Sequence, residues 1–595
     1  AQAIFAQVAK QRELKLPAAA CLCYRLPILA SMTDFDETAA SAPEFYGPIS
    51  ELFQKAKFDE GVRLARQERT NAQENGSKPN ELAALRLIIK GQLGKKDAYN
   101  AKKNADEAME IAKGDKKAEA ALMHLLAQVA IMEGSSEAVS ATEKAIDAFK
   151  KLGNKAGEAA ATTTLAKVYL STGELEKALE KTTASKEMFE GISEKLGEAF
   201  ALNTAFDIKV KEDRMYQALL IAEQMLNIYI AASNVPGEAA AQLKAAETQL
   251  DQGDLQNALD RATAAAQLFE ELGDIKKKGA AALLMAQAFE RVGQLQDAMS
   301  TAETAILLFQ EGRDKKGGVL ALKLIAKCYI TLKQLGNAAA KLEEAAFKYR
   351  QIKDKQAEAA VLVELATTQQ VMLTKPDEVP ARGWSSADFE QPVRHARAAI
   401  KIYQDSGKTK TVDYGNALIA LASGLLFLRS KDGVLDEAAS KAEEAQGIFQ
   451  PAGDLAGEAA ALKVQAQVIF AKDPEAKDDA VALLEKSREL AEEAVAQDTV
   501  KDVSTLIKTF NKYKPAKKGK QAGVVADIDQ WRYDEMVMFI RSYEGRSATV
   551  ATPGGSKSSS VQLGADGKPI IQRQQVLYQL RYQRVQKVDL AAGAA

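Results

Sequence analysis

The sequence predicts an all-α chain: a right-handed superhelical solenoid of about ten helical hairpins, with a small mixed or irregular C-terminal appendage. Three observations predict it. The tetrad Gly-Glu-Ala-Ala stands at 157–160, 237–240 and 457–460, with near copies at 118–121, 197–200 and 357–360. The Glu of that tetrad marks a nearly constant step along the chain. Hydrophobic residues make up 47% of the chain but aromatics only 6%, and abundant Ala suits closely packed helices better than sheets.

The step is measured from the tetrad Glu. Glu81, Glu119, Glu158, Glu198, Glu238, Lys278, Gly318 and Glu358 are spaced by 38, 39 and then five times 40 residues. Glu458 follows 100 residues later, and that gap holds one further unit, with Asn416 in the Glu role, after an insertion of about 18 residues. Ten phased units therefore lie between about 80 and 495. Other columns keep the same phase. Eight residues on stand Ala127, Ala166, Ala246, Ala286, Ala326, Ala366, Gly424 and Ala466, with Ile89 and Phe206 as exceptions. Fifteen on, Gly134, Gly173, Gly253 and Gly293 mark a break, and twenty on stand Ala178, Ala218, Ala258, Ala298 and Ala338. Thirty-one on, Phe189, Tyr229, Phe269, Phe309 and Tyr349 close the unit.

Each unit reads as two helices. Ala161, Leu165, Ala166 and Tyr169 recur at steps of three and four, one amphipathic face. A Gly turn and a second helix follow, carrying Ala178 and Phe189 on its inner side. Where two helix axes approach to about 8 Å, only Ala or Gly fits the crossing. The aromatic column fills the wedge between units, and the tetrad Gly marks the joint before the first helix. One hairpin cannot bury both its faces, so neighbours stack.

These columns resemble the tetratricopeptide repeat, in a longer-step subgroup like that of kinesin light chains and Leu-Gly-Asn-type adaptors. The resemblance covers roughly residues 50–495, at 40 residues rather than the usual 34. The adaptors' C-terminal GoLoco motifs are not visible. The resemblance implies a protein–protein interaction array that captures a peptide or helix in a concave groove lined by the first helices. Positions five and nine after the phased Glu are expected to point into that groove. They are His124/Gln128, Thr163/Lys167, Asn203/Asp207, Leu243/Glu247, Leu283/Gln287, Lys323/Lys327, Val363/Thr367, Leu421/Leu425 and Lys463/Gln467. Lys323 and Lys327 form the one doubly basic pair, too little for a carboxylate clamp, and the mixture of Leu, Lys and Asn suits an amphipathic or extended peptide.

The remaining segments are expected as follows. Residues 1–48 are a leader or disordered segment, in which Met32 opens a second start and residues 1–31 are either an incidental leader or a targeting presequence. The array spans 49–510. Residues 371–392, with three Pro and Trp384, form a loop insertion, with Trp384 packed on a ridge of the array or used in recognition. A basic linker spans 511–525, holding five Lys between 511 and 523, and an appendage spans 526–595. Residues 501–595 carry 16 basic and 8 acidic side chains, against a net charge of −2 for the whole chain.

Several function classes find no support. The near-zero net charge gives no global field favouring nucleic acid or membrane. Cys21, Cys23 and Cys328 make no disulfide framework and fit a reducing compartment. No apolar run reaches 18 residues. His124 and His395 are the only histidines, too far apart for a metal constellation, and both are expected at exposed helix positions. "KKGGVL" at 315–320 lacks the order of a phosphate loop and is expected in a connection between units. No catalytic motif, metal or cofactor is expected. The expected role is a non-catalytic, cytoplasmic scaffold or adaptor for a protein partner, in a cytoskeletal or motor assembly. The alternatives are a structural subunit anchored by its basic tail, and an RNA-associated protein acting through residues 511–587.

Overall fold

The computed structural model describes residues 42–55, 57–374 and 385–513. Among these are 23 α-helices and no strand. They form two compact units divided after Cys328. In the first unit α1 (Tyr46–Gln54) and α2 (Phe58–Glu74) precede α3 (Lys78–Gly94), α4 (Ala98–Ala112), α5 (Lys116–Met132), α6 (Ala138–Lys151), α7 (Lys155–Thr172) and α8 (Leu175–Gly191). The order continues with α9 (Lys195–Lys211), α10 (Met215–Ala231), α11 (Val235–Gln252), α12 (Leu255–Leu272), α13 (Ile275–Val292), α14 (Leu295–Glu311) and α15 (Lys315–Thr331), which carries the dividing point. The second unit holds α16 (Leu335–Gln351), α17 (Lys355–Thr374), α18 (Ser386–Asp405), α19 (Val412–Leu426), α20 (Val434–Ala452), α21 (Leu455–Lys472), α22 (Lys477–Glu493) and α23 (Gln497–Lys512). In element order α3 to α22 are ten pairs, one for each phased unit. The architecture is an all-α array of consecutive hairpins.

The turns explain the connecting sequences. Gly173 and Gly253 end α7 and α11 in the left-handed region, at φ 85° and 81°. The equivalent Asp213 and Lys333 adopt φ 59° and 60° in spite of their side chains, which costs each about 1–2 kcal/mol. Asn154, Asn234, Asp274, Asp314 and Asp454 cap the first helices. Each side chain accepts the backbone N–H three residues on, at 2.8–3.1 Å.

The aromatic column closes each joint. Phe149, Phe189, Phe309 and Phe449 are at most 1% exposed and Tyr229 2%. Each ring lies on the first turn of the next first helix, against Gly157, Gly197, Gly317, Gly457 and Gly237 respectively, where a Cβ would overlap ring carbons. The tetrad Gly is therefore inside the helix, not at a joint before it. Volume, not backbone freedom, requires it. "KKGGVL" likewise opens α15, with Gly317 under the Phe309 ring, and is no connection.

The small column behaves as its sequence position requires. Ala127, Ala166, Ala246, Ala286, Ala326, Ala366 and Ala466 have no exposed surface, nor has Ile89, and Phe206 is 2% exposed. Within each unit the first helices are covered on several sides, as with α7, which packs against α6, α8, α5 and α9. The second helices bury one stripe, as in α12 with Ala258, Ala262, Ala265 and Phe269.

The insertion differs from the expected loop. Val371–Thr374 continue α17, and Ser386–Pro392 belong to α18, at whose start Ser385 donates its backbone N–H and its hydroxyl to Asp388 Oδ2, each at 2.7 Å. Trp384, the leader to residue 41 and the chain after Tyr513 lie outside the described residues.

Two tests follow from the packing. Gly197→Ala and Gly237→Ala each lose about 1–3 kcal/mol, since a rigid ring meets the new methyl. Gly447 in α20 is exposed with no atom within 4 Å of an added Cβ, so Gly447→Ala gains about 0.5–1 kcal/mol. Urea unfolding distinguishes the two classes, and neutral results at Gly197 and Gly237 would remove the ring contact as the cause. Ala286→Leu and Ala326→Leu each cost about 1–3 kcal/mol by overpacking, read as faster amide exchange in α13 and α15.

Candidate functional site

Within the first unit, successive first helices touch through the positions around the expected groove columns. His124 Nε2 on α5 lies 2.8 Å from Thr164 Oγ1 on α7, and Gln128 Nε2 is 3.5 Å from the same imidazole nitrogen. The Lys167 ammonium sits 4.0 Å from the centre of the Phe200 ring on α9. Lys244 Nζ on α11 donates to Asp207 Oδ1 at 2.6 Å and lies 4.2 Å from the Phe206 ring centre. Lys327 Nζ on α15 donates to Glu290 Oε2 on α13 at 2.9 Å. Apart from the Gln128–His124 contact within α5, these contacts join residues about one repeat apart, as polar and cation–π rungs of a ladder between neighbouring first helices.

The two columns differ in accessibility. At position five, Leu283 has no exposed surface, His124 and Leu421 are 2% exposed, Leu243 and Lys323 6%, and Asn203 8%. Thr163 is also fully buried, its hydroxyl beside Ser185 Oγ. Their expected open-groove placement is corrected: the position faces a neighbouring helix. At position nine Gln287 and Leu425 are buried too, at 7% and 1%. Gln128, Lys167, Asp207, Glu247 and Gln467 are half-buried, and Lys327 and Thr367 exposed. Val363 and Lys463 are half-buried exceptions at position five, with Lys463 Nζ 3.8 Å from Asp502 Oδ2. The accessible residues of the face are therefore chiefly those of the ninth column.

No protein-family model and no curated protein matches the chain. Among solved structures it is similar to a signal-transduction ATPase with a tetratricopeptide repeat sensor from Pyrococcus horikoshii, at 14% identity and a TM-score of 0.44. That match covers 67% of this chain and 53% of the other, so the chain spans about half the ATPase's length. The apo form of RapI matches at 11% identity and a TM-score of 0.43, covering 65% and 97%. Tetratricopeptide-like repeats of a putative kinesin light chain from Podospora anserina match at 15% identity and a TM-score of 0.29, covering 36% and 95%.

Neither histidine is at the expected exposed position. His124 is buried edge-on to Phe149, at 6.2 Å between ring centres. His395 is half-buried, its Nδ1 2.9 Å from Gln369 Oε1, and Gln369 in turn contacts Gln391. Burial pushes the Cys328 thiol up to about 11, assisted by Glu290 and opposed by Lys327, so the thiol stays protonated. Among the described residues no group of three or more His, Cys, Asp or Glu side chains is placed to hold a metal ion. No described helix is long and apolar enough to cross a membrane.

Lys244 in this ladder is not in either expected groove column. It is 3% exposed, one place after the expected fifth position, and its signal was a Lys inside the apolar run "AAAQLKAAETQL".

Burial, and secondarily Arg394, holds the His395 pKa below its usual 6.5. The unfolded chain therefore binds that proton more readily. The stability that neutral His395 supports is complete above about pH 6.5 and is lost as pH falls from there toward the lowered folded value. Thermal midpoints measured from pH 8 to pH 5 should fall further for the wild type than for His395→Gln. Equal slopes would assign the acid sensitivity to other groups.

Proposed function

We propose that the chain is a protein–protein interaction scaffold, whose first unit holds an extended or helical segment of a partner across the ladder of first helices. The carrying observation is the contrast between columns: the packing positions recur and are buried, while the half-exposed ninth position changes from Gln128 to Lys167, Asp207, Glu247 and Lys327. A face built on invariant packing with a varying polar register supports recognition of an extended sequence. Lys323 is removed from the proposed contacts, since a charge reversal at a 6% exposed residue would test packing rather than binding. The setting we propose, a cytoskeletal or motor assembly, rests on the 40-residue step alone.

Cross-linking mass spectrometry on native complexes tests the reading. Cross-links from the wild type should concentrate beside Lys167 and Lys327. The triple variant Lys167→Glu, Glu247→Lys, Lys327→Glu should lose most of its captured partner while keeping its helical circular dichroism. Full retention of the partner by that folded variant would overturn the assignment of the face. Co-sedimentation with microtubules tests the setting separately, and its absence for the partner-loaded chain would remove it.

A further inference from the structure

An open cleft lies between α2, the end of α3 and the start of α4, lined among others by Asp59, Arg63, Arg66, Gln92, Lys95 and Asp97. Both acids are already engaged. Lys95 Nζ donates to Asp59 Oδ1. Asp97 caps α4, accepting the Asn100 backbone N–H at 3.2 Å and Asn100 Nδ2 at 2.7 Å. Arg63 and Arg66, one turn apart on α2, have no acceptor among the described residues.

The cleft also holds a buried donor. Gln92 is 3% exposed, and its Oε1 accepts from Asn104 Nδ2 at 3.0 Å. The same Asn104 amide nitrogen donates to the Asn100 carbonyl at 2.8 Å, which fixes the orientation of both amides. The Gln92 amide nitrogen is then left as a donor with no acceptor among the described residues, in a side chain lining the cleft. Three groups without an acceptor thus line the cleft as donors, the two guanidinium groups and the Gln92 amide, beside the Asn100 side chain, and two of the three carry positive charge. Two guanidinium groups and an amide suit a planar or tetrahedral oxyanion better than any cation or neutral apolar group.

We propose that this cleft binds an oxyanion, a phosphate or carboxylate group, between Arg63 and Arg66 with Gln92 Nε2 donating from beneath. The ligand comes either as a free phosphate ion or on an acidic peptide segment. The site stands apart from the face proposed above and does not rest on it.

Isothermal titration of the full chain with inorganic phosphate and with a glutamate-rich peptide tests the site. At least one probe should bind saturably at one site. Arg63→Gln with Arg66→Gln should weaken binding about tenfold or more. Both arginines are exposed, so the variant should melt like the wild type. Lys150→Gln with Lys151→Gln, a matched charge loss on α6, should leave the affinity unchanged. Saturable phosphate binding without peptide binding assigns the free ion, and tighter peptide binding displaced by phosphate assigns the acidic segment. Absence of saturable binding for both probes, or equal weakening in the Lys150 and Lys151 control, would overturn the proposal.

Discussion

The packed hairpins depend on one contact, an aromatic ring at the end of a second helix lying on a bare Cα at the start of the next first helix. The same residue also supplies a carbonyl. Phe149, Phe189, Tyr229, Phe269, Phe309, Tyr349 and Phe449 each accept the backbone N–H five residues on, at 2.7–3.1 Å. Ring and carbonyl together fix both the distance and the angle between one hairpin and the next. A hairpin therefore completes its neighbour's core, and stability accumulates as a sum of nearest-neighbour contacts. Where the glycine is absent the ring is met differently, as with Lys277, whose ammonium lies 5.4 Å from the Phe269 ring centre.

With packing assigned to rings and small residues, the polar side chains are released for other uses. Many pair across one repeat: Arg69 with Glu107, Lys244 with Asp207, Arg291 with Asp251 and Lys327 with Glu290 in the first unit, and Arg397 with Glu437 in the second. Apart from Lys244, whose side chain is buried, these pairs are at least partly exposed, and exposed pairs each contribute only about 0–1 kcal/mol. They set register between equivalent helices more than they hold them together. Of these only Lys327–Glu290 joins first helices through an exposed residue, so a partner can exchange its own charges for that pair at small cost to the fold.

The sequence made the packing legible and the accessibility much less so. A residue that must fill a fixed volume, Ala at a crossing or Phe in a wedge, recurs at a fixed phase, so the period exposes it. A recurring phase does not say which side chains meet solvent. The fifth column varies among His124, Thr163, Asn203, Leu243, Leu283 and Lys323, yet all are buried. They vary because each is matched to a local neighbour, as His124 is to Thr164 and Thr163 to Ser185. Variation across repeats was a sign of pairwise fit there, not of exposure. The cleft at Arg63 and Arg66 left no periodic trace, because three helices supply it and one precedes the phased units.

The hairpin 195–231 shows how a break in the pattern is accommodated. Phe206 occupies the small column, and Phe200 stands where Ala160 and Ala240 stand in the neighbouring units. A ring at a crossing forces the flanking first helices to fit around added volume. Both neighbours answer with a lysine, Lys167 over Phe200 and Lys244 over Phe206. The long stems cover the ring faces, and the ammonium groups gain cation–π contacts. The exchange is incomplete, because Asn203 Oδ1 and Thr204 Oγ1 on the same helix are buried without a hydrogen-bond partner. A buried acceptor left unpaired costs about 1–3 kcal/mol, so this hairpin gives back part of what its aromatic packing contributes. The middle of the first-helix face thus combines the bulkiest side chains, two lysines and an unsatisfied amide oxygen. In a repeat whose neighbours keep Ala at both positions, that concentration of departures marks where the face differs most from a generic array.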